Sequence, residues 1–191
     1  MKPFETLLAE VRACRACAGL LPLGPRPVVQ ASASARILIA SQAPGTHVHE
    51  SGIPFADASG DNLRAWMNMP SDIFYDESKV AIVPMGFCYP GKIAGGGDAP
   101  PRTECARLWR DRLLAGMPAL RLTLLVGGYA QDHALGRGRV TDRVREFRDH
   151  MPRILPLPHP SWRSRLWMAR NPWFEATVLP ELREAVRAAL L

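Results

Sequence analysis

No stretch of this sequence approaches the ~20 consecutive apolar residues that cross a bilayer. A membrane-embedded protein is set aside on that ground. The opening Met1-Lys2-Pro3-Phe4-Glu5 lacks the basic-then-apolar pattern of an export signal, so a soluble, cytoplasmic protein is expected. Cysteine is scarce, at four residues, and in a reducing compartment metal ligands or buried thiols are expected before two disulfides. Lysine is scarcer still: of 24 cationic side chains three are Lys and 21 are Arg, against 18 acids, for a formal charge of +6. Arginine is the better bidentate phosphate ligand, so a polyanionic partner fits. The same charge also serves solubility, so charge alone does not decide between them.

What is present suits one substantial core. A chain of 191 residues, 47% hydrophobic, is expected to form one α/β domain over residues 1–191. Phe4, Leu7, Leu8 and Val11 recur at helical spacing over 3–11 and lead into Cys14-Arg15-Ala16-Cys17. Four short apolar runs, at 36–40, 79–83, 122–126 and 153–157, read as strands buried on both faces. Between them lie expected helices from about Gly60 through Met67 and from Thr103 to Leu114, with Thr103 as cap and Glu104 in the first turn. Segment 41–59 reads as one long functional loop, 136–145 as a basic stretch, and 173–191 as a long amphipathic helix. Alternation of strand and helix predicts a three-layer αβα sandwich on a central four-stranded parallel sheet. Ligands of such sheets bind at the carboxyl ends of the strands, and the loops after the first and fourth runs lie there.

Cys14 and Cys17 have C-x2-C spacing, Cys88 follows after 70 residues, and Cys105 after 16 more. A pair on a tight turn plus two distant singles can converge on one centre, either zinc or iron-sulfur. Buried free thiols are the alternative.

Three motif groups follow in order along the chain. Ser41-Gln42-Ala43-Pro44-Gly45 is succeeded by Gly52-Ile53-Pro54-Phe55 and Asp57-Ala58-Ser59-Gly60, and His159-Pro160-Ser161 closes the fourth run. Together with the cysteine order, these resemble the uracil-DNA glycosylase superfamily, and most of all its iron-sulfur families 4 and 5 of bacteria and archaea. Family 4 reads G-E-x-P-G and then G-x-P-F; family 5 has A-P-x-x-H, matched by Ala43-Pro44 with His47, and an Asp shortly before Ser-Gly. The resemblance covers essentially the whole chain. It implies a DNA repair enzyme that flips uracil out of single- or double-stranded DNA and hydrolyses its N-glycosidic bond, acting as a monomer with no membrane partner. It also implies a 4Fe-4S cluster on Cys14, Cys17, Cys88 and Cys105.

The chemistry suits these residue types. Breaking the bond leaves positive charge on the sugar and negative charge on the base, so an anion and a donor are both required. Asp57 is the candidate anion and His159 the candidate donor, with Gln42 and His47 as further catalytic candidates. Ala43, Phe55 and Ser161 are candidates to line the base pocket. Trp162, Arg163, Arg165, Leu166 and Arg170 interleave apolar and basic side chains, as a wedge with phosphate contacts would. Each has a plainer reading: Phe55 as core, Asp57 as a helix cap, and 162–170 as an amphipathic helix burying Trp167. His49, His133 and His150 read as ordinary loop or surface residues.

Two departures mark a distinct subgroup. Family 4 carries a base-reading Asn four residues before the third cysteine, where this chain has Pro84, and the plain C-x-P-P is replaced by the glycine-rich Tyr89 to Asp98. Hypoxanthine, xanthine and thymine mispairs therefore stand beside uracil as substrates. A catalytically silent DNA-binding protein and a small-molecule nucleoside hydrolase are the rival readings, the basic segments weighing against the latter.

Overall fold

The computed structural model describes residues 4–191. Four strands, β1 (Ile37–Ala40), β2 (Val80–Ile82), β3 (Leu122–Val126) and β4 (Ile154–Leu157), form one sheet in the order β2-β1-β3-β4. Every neighbouring pair is parallel, with Ile37 beside Val80 and Leu122, and Leu124 beside Leu155. The expected parallel sheet is present, each strand lying within a residue of its expected bounds.

Helices cover both faces, which explains why the strands lack polar alternation. Side chains of odd-numbered Ile37 and Ile39 enter one core with Leu63 and Trp66 of α3 (Ala58–Met67), Val144 of α7 (Val140–Arg145) and Leu182 of α9 (Leu179–Leu190). Leu38 and Ala81 enter the opposite core with Leu7, Leu8 and Val11 of α1 (Phe4–Arg12) and Leu113 of α5 (Asp111–Ala115). Ala130 of α6 (Gly128–Leu135) packs on that second face, against Ala40 and Leu125. This period-two division gives the three layers. Truncating fully buried Leu182 to Ala would cost about 2 to 5 kcal/mol.

Several local expectations change. The 41–59 segment is not one open loop, because Thr46–Ser51 forms α2, and a short helix α4 (Ser71–Phe74) precedes β2. The first expected helix begins at Phe4 among the described residues, Pro3 lying outside them. The 103–114 helix opens with a wide π-helical turn over Ala106–Arg110, directly after Cys105, and Thr103 accepts from Arg107 N–H through its backbone carbonyl at 3.3 Å. The C-terminal helix likewise starts with a π-helical turn, Phe174–Val178, before α9. The free edge of β2 is covered by 28–30, where Gln30 pairs with Ile82 and its amide donates to the carbonyls of Phe74 and Val80 at 3.0 and 2.8 Å. No helix among the described residues is long and apolar enough to cross a membrane.

Candidate active site

In the order β2-β1-β3-β4 the chain leaves β1 toward β2 on one side and returns to β3 on the other. A crevice must open at the carboxyl ends of the strands where this reversal occurs. A cavity of about 640 Å³ occupies that place. Its floor and walls include Ser41, Gln42 and Ala43 after β1, Pro84 after β2, and His159 and Ser161 after β4. The first motif is held down as an extension of the sheet, Met85 N–H donating to Ser41 O at 2.8 Å and Gly86 N–H to Gln42 O at 2.9 Å.

Phe55 and Asp57 also line the cavity, and both have the plainer role as well. Asp57 is the N-cap of α3, its Oδ1 accepting from Gly60 N–H at 3.0 Å. Phe55 is buried in the main core, edge-on to Phe74 with ring centroids 6.3 Å apart. Its backbone is left-handed, with φ +56°, an unfavourable state for a bulky residue. Two contacts hold it there. Tyr75 Oη donates to Phe55 O at 3.2 Å, and Gly60 lies so close beneath that a Cβ there would stand 1.8 Å from the same carbonyl.

His159 is brought in by two residues that sequence reasoning did not single out. Gly127, after β3 with φ +83°, would put a Cβ 3.4 Å from His159 Cβ, so the imidazole sits against bare backbone. Asn62, on α3, donates from Nδ2 to Pro160 O at 2.9 Å and ties the second motif to the helix that Asp57 caps. Burial lowers the His159 pKa from its ordinary 6.5, while the charges of Asp57 and Asp98 act the other way. The imidazole is therefore neutral at pH 7, with one N–H to donate. Asp98 and Lys92, on the glycine-rich loop, line the opposite wall. The loop's departure from the expected pattern was the only sequence signal pointing to them.

At the mouth stand Trp162 and Arg163, the guanidinium 5.2 Å from the indole ring. Trp162 and Leu166 are 68% and 67% exposed, large apolar side chains facing solvent beside a polar opening. Arg165 and Arg170 are exposed outside the cavity. The amphipathic-helix reading of 162–170 is met: α8 (Ser164–Arg170) packs Trp167 against Trp173 and Phe174 at 5.6 and 5.4 Å, and turns Leu166, Arg165 and Arg170 outward. His47 stands apart from the cavity. Its side chain is 83% exposed, with Nδ1 3.7 Å from Glu50.

The four cysteines are unbridged and line one small cavity, walled otherwise by Ala16, Leu21, Pro25, Pro27, Phe87 and Arg102. Tight turns after α1 present the first pair, Cys14 N–H donating to Val11 O and Leu20 N–H to Cys17 O. Trp109 Nε1 donates to Cys14 Sγ at 3.2 Å and Phe87 N–H to Cys105 Sγ at 3.4 Å. Arg102, paired with Glu104 at 2.5 Å, lines the same cavity as Cys17. Burial pushes the Cys88 and Cys105 thiols up to about 11. Among the described residues no three His, Cys, Asp or Glu side chains converge in a geometry that would hold a single metal ion.

Comparison with protein families agrees with this architecture. The model of the Uracil DNA glycosylase superfamily matches residues 28–183, which take in all four strands, both motif loops and the cavity between them. The chain belongs to the uracil DNA glycosylase superfamily.

Proposed function

We propose that the protein is a DNA glycosylase that hydrolyses the N-glycosidic bond of uracil, or of a related deaminated base, after flipping the nucleotide out of DNA. The carrying observation is the convergence of Gln42, Phe55, Asp57 and His159 on one cavity whose mouth bears Trp162 and Arg163. As the C1′–N1 bond breaks, its electron pair passes to the base and charge gathers on O2. A neutral His159 donates a hydrogen bond to that oxygen, stabilising the leaving anion where its charge develops. Asp57, held rigid by its cap, presents a fixed negative charge to the sugar cation. Phe55 stacks on the base, and Gln42, Ala43 and Ser161 surround it. Trp162 or Leu166 fills the gap left in the duplex, and Arg163, Arg165 and Arg170 hold phosphates.

We further propose that the cysteine cavity holds a 4Fe-4S cluster. What supports the cluster is that four unbridged cysteines line one cavity, in the order that the resemblance to the iron-sulfur families implies. The raised thiol pKa values mean that ligand binding must release protons, and Trp109, Phe87 and Arg102 would stabilise the resulting thiolates. The cluster's role is structural, tying the segment after α1 to the loop after β2.

The test is incubation with DNA carrying uracil, hypoxanthine, xanthine or a thymine mispair, followed by alkali. Strand breaks at the modified base are expected. Retention of labelled DNA with no breaks across the panel would favour a silent binder, a reading motivated by Pro84, which offers the cavity no amide. Turnover of free deoxyuridine instead would mark a nucleoside hydrolase.

A further inference from the structure

We infer that Asp98, carried by the glycine-rich hairpin after β2, is a catalytic residue that takes the proton of the attacking water. This rests on the glycosylase reading above. Lys92 and Asp98 face each other across an isolated antiparallel bridge, closed by Ile93 N–H to Gly97 O at 3.1 Å and anchored by Ala99 N–H to Gly91 O at 2.8 Å. The turn is made of Gly95, Gly96 and Gly97, with φ of +88°, +92° and +95°. Nothing lies within 4 Å of a Cβ built on any of the three. Glycine is needed there for the left-handed backbone and not for packing, so the turn reaches over the cavity clear of the body.

That reach sets a second carboxylate opposite the first motif. Asp98 lines the cavity, its Oδ2 3.6 Å from the position of a Cβ on Gly45, and its charge is felt at His159. Asp57 and Asp98 are thus two carboxylates in different situations. Asp57 Oδ1 is committed to Gly60 N–H, which fixes it as a stationary charge. Asp98 makes no side-chain hydrogen bond or ion pair among the described residues, so both its oxygens are free to receive a proton.

The division of labour follows. The C1′–N1 pair leaves with the base, water oxygen forms the new bond to C1′, and the proton it sheds passes to Asp98. From there it goes by solvent to the departed base anion, leaving neutral base and an abasic sugar. Loss of a general base commonly costs about 10²- to 10⁴-fold in rate.

Single-turnover cleavage of single-stranded uracil DNA by wild type, Asp98→Asn and Asp98→Ala tests this. Asp98→Asn is expected to be slower by at least about 100-fold, with an unchanged melting temperature and undiminished affinity for an uncleavable 2′-fluoro substrate. Added formate should partly restore Asp98→Ala. Asp98→Asn cleaving within about threefold of an active wild type would overturn the assignment, as would a loss tracked by a lower melting temperature. A wild type that cleaves no base in the panel would overturn the glycosylase reading, and this assignment with it.

Discussion

Replacing Asp57 with Asn removes a charge and keeps a helix cap, and replacing it with Ala removes both. Asn is as good an N-cap as Asp, so Asp57→Asn should still accept from Gly60 N–H and hold α3 in register. Asp61 remains in the first turn to satisfy the helix dipole. Ala offers no acceptor, and the lost cap costs about 0.5 to 2 kcal/mol. For a chain of this size each kcal/mol lowers the melting temperature by about 2 to 4 °C, so Asp57→Ala should melt about 1 to 8 °C lower than wild type. The chemical step separates the roles differently. If the carboxylate stabilises the sugar cation, both variants lose about 10²- to 10³-fold in single-turnover rate, the usual size of one preorganised electrostatic group. Thermal melting and rapid-quench cleavage of the same preparations give both numbers. Wild-type cleavage by Asp57→Asn would refute the catalytic role and leave Asp57 a cap alone.

His159→Ala should lower the single-turnover rate by about 10²- to 10³-fold while DNA affinity, measured by fluorescence anisotropy, stays close to wild type. Because burial lowers the folded His159 pKa below 6.5, the unfolded chain binds its proton first as pH falls. Wild-type stability is therefore lost on acidification below about pH 6.5, and urea unfolding should find His159→Gln losing less of it over the same range. Gly127→Ala places a Cβ-bearing residue at φ +83°, with only ordinary van der Waals contact to His159, and should destabilise the fold by about 1 kcal/mol or more, read as a lower melting temperature. Anaerobically purified protein should be brown with about four irons per chain, and Cys88→Ser should lose iron and colour; one zinc in a colourless protein would sink the cluster. Trp162→Ala with Leu166→Ala should slow cleavage of duplex DNA far more than of single strands, since only the duplex needs its gap filled.

Local pattern was enough for much of this molecule. A run such as Leu122-Thr123-Leu124-Leu125-Val126 is apolar at nearly every position because both faces of a parallel sheet are covered, and that alone set strand, sheet type and layer count. Asp57 before Ala58-Ser59-Gly60 carried its capping role in its own chemistry, and the motif loops carried the superfamily. Short helices such as Thr46–Ser51 and Ser71–Phe74 escaped because four to six residues show too little periodicity to read.

What the sequence could not contain was the order of its strands. Placing β3 beside β1, on the side away from β2, opens the crevice and decides which distant residues share it. Asn62 meets Pro160 across 98 positions, Gly127 makes room for His159, and Asp98 faces Gly45. His47, five residues beyond Gln42, is turned to solvent because α2 carries it away from the cavity. Residue types and their spacing along the chain determined the fold class and the kind of chemistry. Which carboxylates share a cavity with the imidazole is a matter of long-range packing, and only the folded sheet with its covering loops decided it.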